Sequence, residues 1–136
     1  MYNGRSTFFI KKNSTLPKLK FALSEYLMLR YDITDEMLEN CAVTFSMQDS
    51  ESGVYKIANK AADLIVNTDF ETNPDDDKYN LVYKFSLAET AKPGIFAGEF
   101  KVDFLGEDQC GKITFPVTEK ITIVIQDSIT KTTVIS

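Results

Sequence analysis

The side chains best equipped for chemistry in this sequence are carboxylates, and they gather in two places: Asp49-Ser50-Glu51-Ser52 and Asn73-Pro74-Asp75-Asp76-Asp77-Lys78-Tyr79-Asn80. Paired carboxylates can act as general acid and base, and roughly six to eight oxygens from carboxylates and carbonyls can hold calcium. Both stretches are polar, lie between apolar alternating segments, and read as solvated loops, where charge costs little. Asp75, Asp76 and Asp77 are consecutive, so in an extended loop their side chains diverge rather than converge on an ion.

Nucleophilic catalysis needs a serine, cysteine or threonine held against a base, most often histidine, and the chain has no histidine. The same absence removes the commonest transition-metal ligand. Ser-Lys and two-carboxylate solutions stay formally open, but no CxxC pair, Gly-rich phosphate loop or HExxH stretch occurs. Cys41 stands at a predicted strand start and Cys110 in the turn-like Gly106-Glu107-Asp108-Gln109-Cys110-Gly111, and both are expected to be reduced thiols. The sequence points away from an enzyme, with no catalytic residue, cofactor or metal to name.

The 15 Lys and Arg are dispersed, with no run longer than Lys11-Lys12, and the formal charge is -5. A nucleic-acid backbone wants a basic stripe, so DNA and RNA are poor partners. Ten phenylalanines and six tyrosines fall mostly on the buried parity of predicted strands, which makes them core before they make a stacking platform. No apolar run approaches the roughly 18 residues of a membrane span, and Met1 to Thr7 contains no apolar signal region. The expectation is a soluble chain made in a cytoplasm, without a membrane partner.

The elements that would carry these groups are written mainly in alternation, the pattern of a strand with one buried face. Leu19, Phe21 and Leu23 share one parity, as do Val43, Phe45 and Met47, then Leu81, Tyr83, Phe85 and Leu87, then Phe96, Gly98, Phe100, Val102 and Phe104. Ile121, Ile123 and Ile125 alternate with Thr122 and Val124 in a β-branched segment that reads as a central strand. Shorter candidates cover 7–11, 53–58, 62–67 and 112–116, the last pairing with 95–105 across a loop with a glycine at each end. A helical turn is expected only near residues 34–40, with Thr34 or Asp32 as N-cap.

About eight or nine short strands joined by polar turns predict an all-β, immunoglobulin-like antiparallel β-sandwich. It forms a single domain over residues 1–136, with its core at about 7–127 and a short arm at each end. Pro17 cannot donate to a strand ladder and marks a break between strands 7–11 and 18–24, or an edge. Tyr2, Tyr26 and Tyr31 lie in or near non-periodic segments; capping the core edge explains each, and an exposed ring would serve a protein contact. The terminal Lys131-Thr132-Thr133-Val134-Ile135-Ser136 reads as a frayed tail or an arm that adds to a neighbour's sheet edge. Tyr2, Tyr31, Thr133, Val134 and Ile135 are therefore the candidate partner contacts.

Taken in order, these segments resemble the N-terminal domain family of phage baseplate upper proteins, an immunoglobulin-like module of phage tails and baseplates. The likeness runs from Phe8-Phe9-Ile10-Lys11-Lys12, a polar turn ending in Leu16-Pro17 and the strand Lys18–Leu23, through residues 32–40 and Val43-Thr44-Phe45-Ser46-Met47. It resumes at Lys92-Pro93-Gly94 before a Phe-rich strand, a strand ending in Phe115-Pro116, and the closing strand 121–126. The resemblance covers roughly residues 7 to 127 and rests on order rather than on one motif.

It implies a virion structural role, assembled in the host cytoplasm, in which the chain docks onto other phage virion proteins and is a homo-oligomer or multicopy component of the particle. In the family the module is followed by domains that contact the receptor-binding apparatus; this chain stops at Ser136, which favours an adaptor, collar or decoration subunit. The alternative expectation is a carbohydrate-binding sandwich that attaches a particle to the host surface, for which the absence of tryptophan is unfavourable. A cell-wall hydrolase ranks last, because no acid/base set can be named.

Overall fold

The structure, a computed structural model, describes residues 7–67, 77–107 and 110–127. Within them run β1 (Thr7–Lys11), β2 (Leu19–Leu23), α1 (Glu25–Arg30), α2 (Asp35–Glu39), β3 (Cys41–Asp49), β4 (Tyr55–Val66) and β5 (Tyr79–Tyr83). A 3-10 turn (Ala88–Thr90), β6 (Gly94–Phe104), β7 (Gly111–Phe115) and β8 (Ile121–Gln126) complete the described chain. The fold is the all-β sandwich expected from the alternation.

Its strands run β1-β8-β6-β3-β4-β5-β2, with β7 beside β6. β4 makes the corner: Ala61 and Ala62 pair with β3, whereas Asp63 to Val66 pair with β5, so one strand passes from the first sheet into the second. The order β3-β6-β8 on one side and β4-β5-β2 on the other is the C-F-G and D-E-B order of an immunoglobulin-like sandwich. All pairs are antiparallel except β1 with β8, where Phe9 lies beside Val124 in parallel register. Parallel pairing is open to these two because they are distant in sequence and need no hairpin.

The core sits between the sheets. Ile10, Val43, Phe45, Met47, Phe100, Ile123 and Ile125 face it from the first sheet, and Leu19, Phe21, Leu23, Leu81 and Tyr83 from the second. The ring of Phe45 stacks on Tyr83 at 4.6 Å and meets Phe85 edge-on at 5.9 Å, which joins the two sheets through aromatic contact. Gly98 is required where Phe45 crosses it: a Cβ there would stand 2.6 Å from Ile123 Cδ1 and 2.9 Å from Phe45 Cζ.

Three details depart from expectation. The expected segments 53–58 and 62–67 merge, over Tyr55–Val66, into the single strand β4, whose register against β3 slips around Ile57 and Asn59. Asn59 has φ 49°, and its N–H donates to Ser46 Oγ at 2.9 Å, so a bulge rather than a chain break interrupts the alternation. A second helix, α1, precedes the expected one, capped by Ser24 Oγ, which accepts from Leu27 N at 3.2 Å. Finally, β5 ends at Tyr83; Phe85 is still buried but Leu87 is exposed.

Candidate functional site

The acidic stretch at 49–52 makes a turn. Asp49 Oδ1 accepts from the N–H of Glu51 and of Ser52, both at 2.9 Å, and Gly53 then takes φ 73° to start the return into β4. The Ser52 and Glu51 N–H groups hold the Asp49 carboxyl below its usual range. One oxygen of Asp49 is thus committed to the local backbone and shapes the turn. Asp75 and Asp76 lie outside the described residues; Asp77 is described and borders a cavity. Among the described residues, no three of the Asp, Glu and Cys side chains come together in a group that could hold a metal ion.

Of the five candidate partner contacts, Tyr2, Thr133, Val134 and Ile135 lie outside the described residues, as do both expected arms. Tyr31 caps the C-terminus of α1 and is half-buried: its ring meets Phe115 edge-on at 6.3 Å, with the Arg30 guanidinium 5.8 Å from its centroid. Tyr26, on the same helix, is exposed. Cys41 and Cys110 are free thiols; Cys41 Sγ donates to Leu38 O at 3.4 Å.

Two groupings were not foreseen. The first is a buried carboxylate. Lys60 sits opposite Phe45 in the β3–β4 register, on the core-facing parity, and its Nζ donates to Glu89 Oε2 at 2.9 Å. Tyr83 Oη donates to the same oxygen at 2.7 Å, and Ser86 N donates to Oε1 at 2.8 Å. Glu89 N donates in return to Ser86 Oγ at 3.3 Å, the reciprocal pattern of a capping box. Burial alone would raise the Glu89 carboxyl, but the Ser86 N–H, Lys60 and Tyr83 outweigh it and hold the group below its ordinary value.

A carboxylate with both oxygens so occupied is a poor proton acceptor, and this cluster serves the fold. Its neighbour Thr90 extends the same function, donating from Oγ1 to Ser14 O at 2.9 Å while Asn13 N donates to Thr90 O at 3.0 Å. The 3-10 turn thereby ties β4 and β5 to the chain leaving β1. The signal available in sequence was Ser86-x-x-Glu89; the missing half was its long-range partner, Lys60.

The second grouping is a cavity of about 470 Å³ where β2 and β5 meet the two helices. Leu23 closes β2, Met28 and Leu29 come from α1, and Ile33 follows it; these and Tyr79 supply the apolar lining. The helix ends hold the walls in place. Ile33 N donates to Met28 O at 2.8 Å, and Thr34 Oγ1 accepts from Met37 N at 3.2 Å to start α2 with Asp35 in its first turn. Tyr79 Oη donates to Asp35 Oδ1 at 2.7 Å, and Lys78 Nζ stands 3.6 Å from Asp35 Oδ2. Burial, then the bond to Asp35 and the charges of Asp35 and Glu39, push the Tyr79 hydroxyl up to about 12. Glu25 and Asp77 complete the polar rim.

A third feature is a surface. On the outer face of the first sheet, Phe9, Val124 and Ile95 are cross-strand neighbours on β1, β8 and β6. Phe9 is 53% and Ile95 56% exposed, and β1 pairs on one edge only among the described residues. The apolar cross-strand row thus lies beside a strand edge that is unpaired among the described residues. No protein-family model matches this chain, and no curated protein matches it.

Proposed function

We propose that this chain is a bacteriophage virion structural protein: a non-catalytic adaptor or decoration subunit that docks, in several copies, onto tail, baseplate, neck or capsid proteins. The observation that carries the proposal is the apolar row Phe9–Val124–Ile95, exposed at Phe9 and Ile95, beside the edge of β1 that is unpaired among the described residues. Such a row contributes little to the isolated fold and is suited to burial against a neighbouring β-rich subunit, with the β1 backbone adding to its sheet. The resemblance in segment order to the baseplate upper protein module supports the same reading.

The test is incorporation. Purified particles of the parent phage are probed for the chain by mass spectrometry and antibody labelling, with wild type compared against Phe9→Glu and Ile95→Glu. Both positions are more than half exposed, so the variants fold with unchanged thermal stability while their copy number in particles falls. Absence of the wild-type chain from particles, or full incorporation of both variants, overturns the proposal.

A further inference from the structure

The cavity between α1, α2, β2 and β5 is built unlike the docking face, and its chemistry selects a different kind of ligand. Its floor is apolar: Leu23 and Ile33 are buried, and the Tyr79 ring is buried with them. Its mouth carries Leu29, which at 74% exposure is the most exposed large apolar side chain among the described residues. A volume of about 470 Å³ falls within the range of small-ligand clefts.

The rim is acidic. Glu25, Asp35 and Asp77 line it with one ammonium, that of Lys78, which approaches Asp35, and among the described residues neither Glu25 nor Asp77 has an ion-pair partner. Asp35 is held in place by the Tyr79 hydroxyl at 2.7 Å, but its approach to Lys78, at 3.6 Å, is longer than a hydrogen bond. A rim of three carboxylates, one of them oriented, over an apolar floor favours a cation with an apolar body and disfavours an anion, which would meet three like charges against one opposite charge.

We infer that this cavity binds an amphipathic organic cation, a primary ammonium or guanidinium carried on an aliphatic or aromatic body. The body covers Leu29 and the floor, and the head group lies between Asp35, Glu25 and Asp77. The inference stands apart from the virion role, because it uses residues of the other sheet and of the helices.

The experiment is an amide-resolved NMR titration of the full chain with 2-phenylethylammonium chloride, its neutral analogue 2-phenylethanol, and a terminally blocked Leu-Lys-Leu peptide. Saturable shifts at Met28, Ile33, Thr34 and Tyr79 are expected for the ammonium, with affinity about tenfold above the alcohol and falling with added salt. Asp35→Asn weakens the ammonium about fivefold with little effect on the alcohol, whereas Leu29→Ser weakens both. Glu25→Gln repeats the charge test without touching the Asp35–Tyr79 bond. The peptide binding more tightly than the amine assigns the cation to a partner's basic side chain, and the reverse order assigns it to a free small molecule; either supports the site. Equal affinity for ammonium and alcohol, shifts outside the cavity, or no binding by any probe overturns it.

Discussion

Removal of the Glu89 carboxylate tests whether this buried group stabilises the fold through the donors it satisfies. Glu89 is 5% exposed and accepts from Tyr83 Oη, Ser86 N and Lys60 Nζ at 2.7, 2.8 and 2.9 Å. In Glu89→Ala, Lys60, whose side chain is 58% exposed, turns to water at little cost. The Ser86 N–H belongs to an exposed residue and can also be hydrated, whereas the Tyr83 hydroxyl, on a residue 6% exposed, has less choice, and an orphaned buried donor costs about 1–3 kcal/mol. The expected loss is about 2 kcal/mol, which for a chain of this size lowers Tm by roughly 6 °C.

The assay is thermal and urea unfolding of wild type, Glu89→Ala, Tyr83→Phe and the double variant. Tyr83→Phe alone removes one donor from a carboxylate that keeps two others, and costs about 1 kcal/mol. The double variant no longer has a stranded hydroxyl, so it should be no less stable than Glu89→Ala, leaving a coupling of about 1 kcal/mol. A loss below about 1 kcal/mol for Glu89→Ala, or strict additivity in the cycle, refutes the reasoning. The pH dependence supplies a second check. Because the folded Glu89 carboxyl lies below its ordinary value of 4.5, its contribution is complete above that pH and is lost as pH falls through the folded value. The stability gap between wild type and Glu89→Gln should therefore hold at neutral pH and narrow under acid.

The other predictions address packing, alkaline titration and capping. Gly98→Ala should cost about 1–3 kcal/mol in urea unfolding, since the new methyl meets fully buried Ile123 and Phe45 side chains; a neutral result would show that the core yields there without strain. Tyr79, raised to about 12, contributes stability that is complete below pH 10, its ordinary value, and lost as pH rises through about 12. Phenolate absorbance should accordingly show Tyr79 titrating late, and Asp35→Ala should bring it earlier. Thr34→Ala and Ser24→Ala each remove a side-chain N-cap and should lower stability by about 1 kcal/mol, and unchanged urea midpoints for both would show that packing alone sets these helices.

The strands with one wet face were legible because polar neighbours separate their apolar residues. Thr44 and Ser46 divide Val43, Phe45 and Met47, and Thr122 divides Ile121 from Ile123, so inward parity could be read directly. β4 was read as two strands because its bulge at Asn59 moves Lys60 onto the core-facing parity, where a charge breaks the pattern. α1 was missed for another reason. It has six residues and none fully buried, so no stripe of helical period could develop, and only Ser24 announced it. Glu89 stayed hidden because Ser86-x-x-Glu89 sits in a connection, while its cation lies 29 positions away and is delivered by strand register.

The fate of individual carboxylates explains why the acidic runs were only a partial guide to the site, to which the second run brings Asp77 and the first brings nothing. Asp49 commits one oxygen to two backbone N–H groups of its own turn, and both oxygens of the buried Glu89 are taken by three donors. Asp35, Glu25 and Asp77 are drawn from three separate elements or loops and meet only through the fold, at a cavity with an apolar floor. Available charge, rather than charge density along the chain, thus marks the helix end of the second sheet, while apolar exposure marks the outer face of the first. The two features should separate by mutation: Phe9→Glu acts on docking and leaves cation binding unchanged, and Asp35→Asn does the reverse. Loss of both properties by either variant, in a chain that still unfolds at the wild-type urea midpoint, would mean that one partner spans both surfaces and would undo the division.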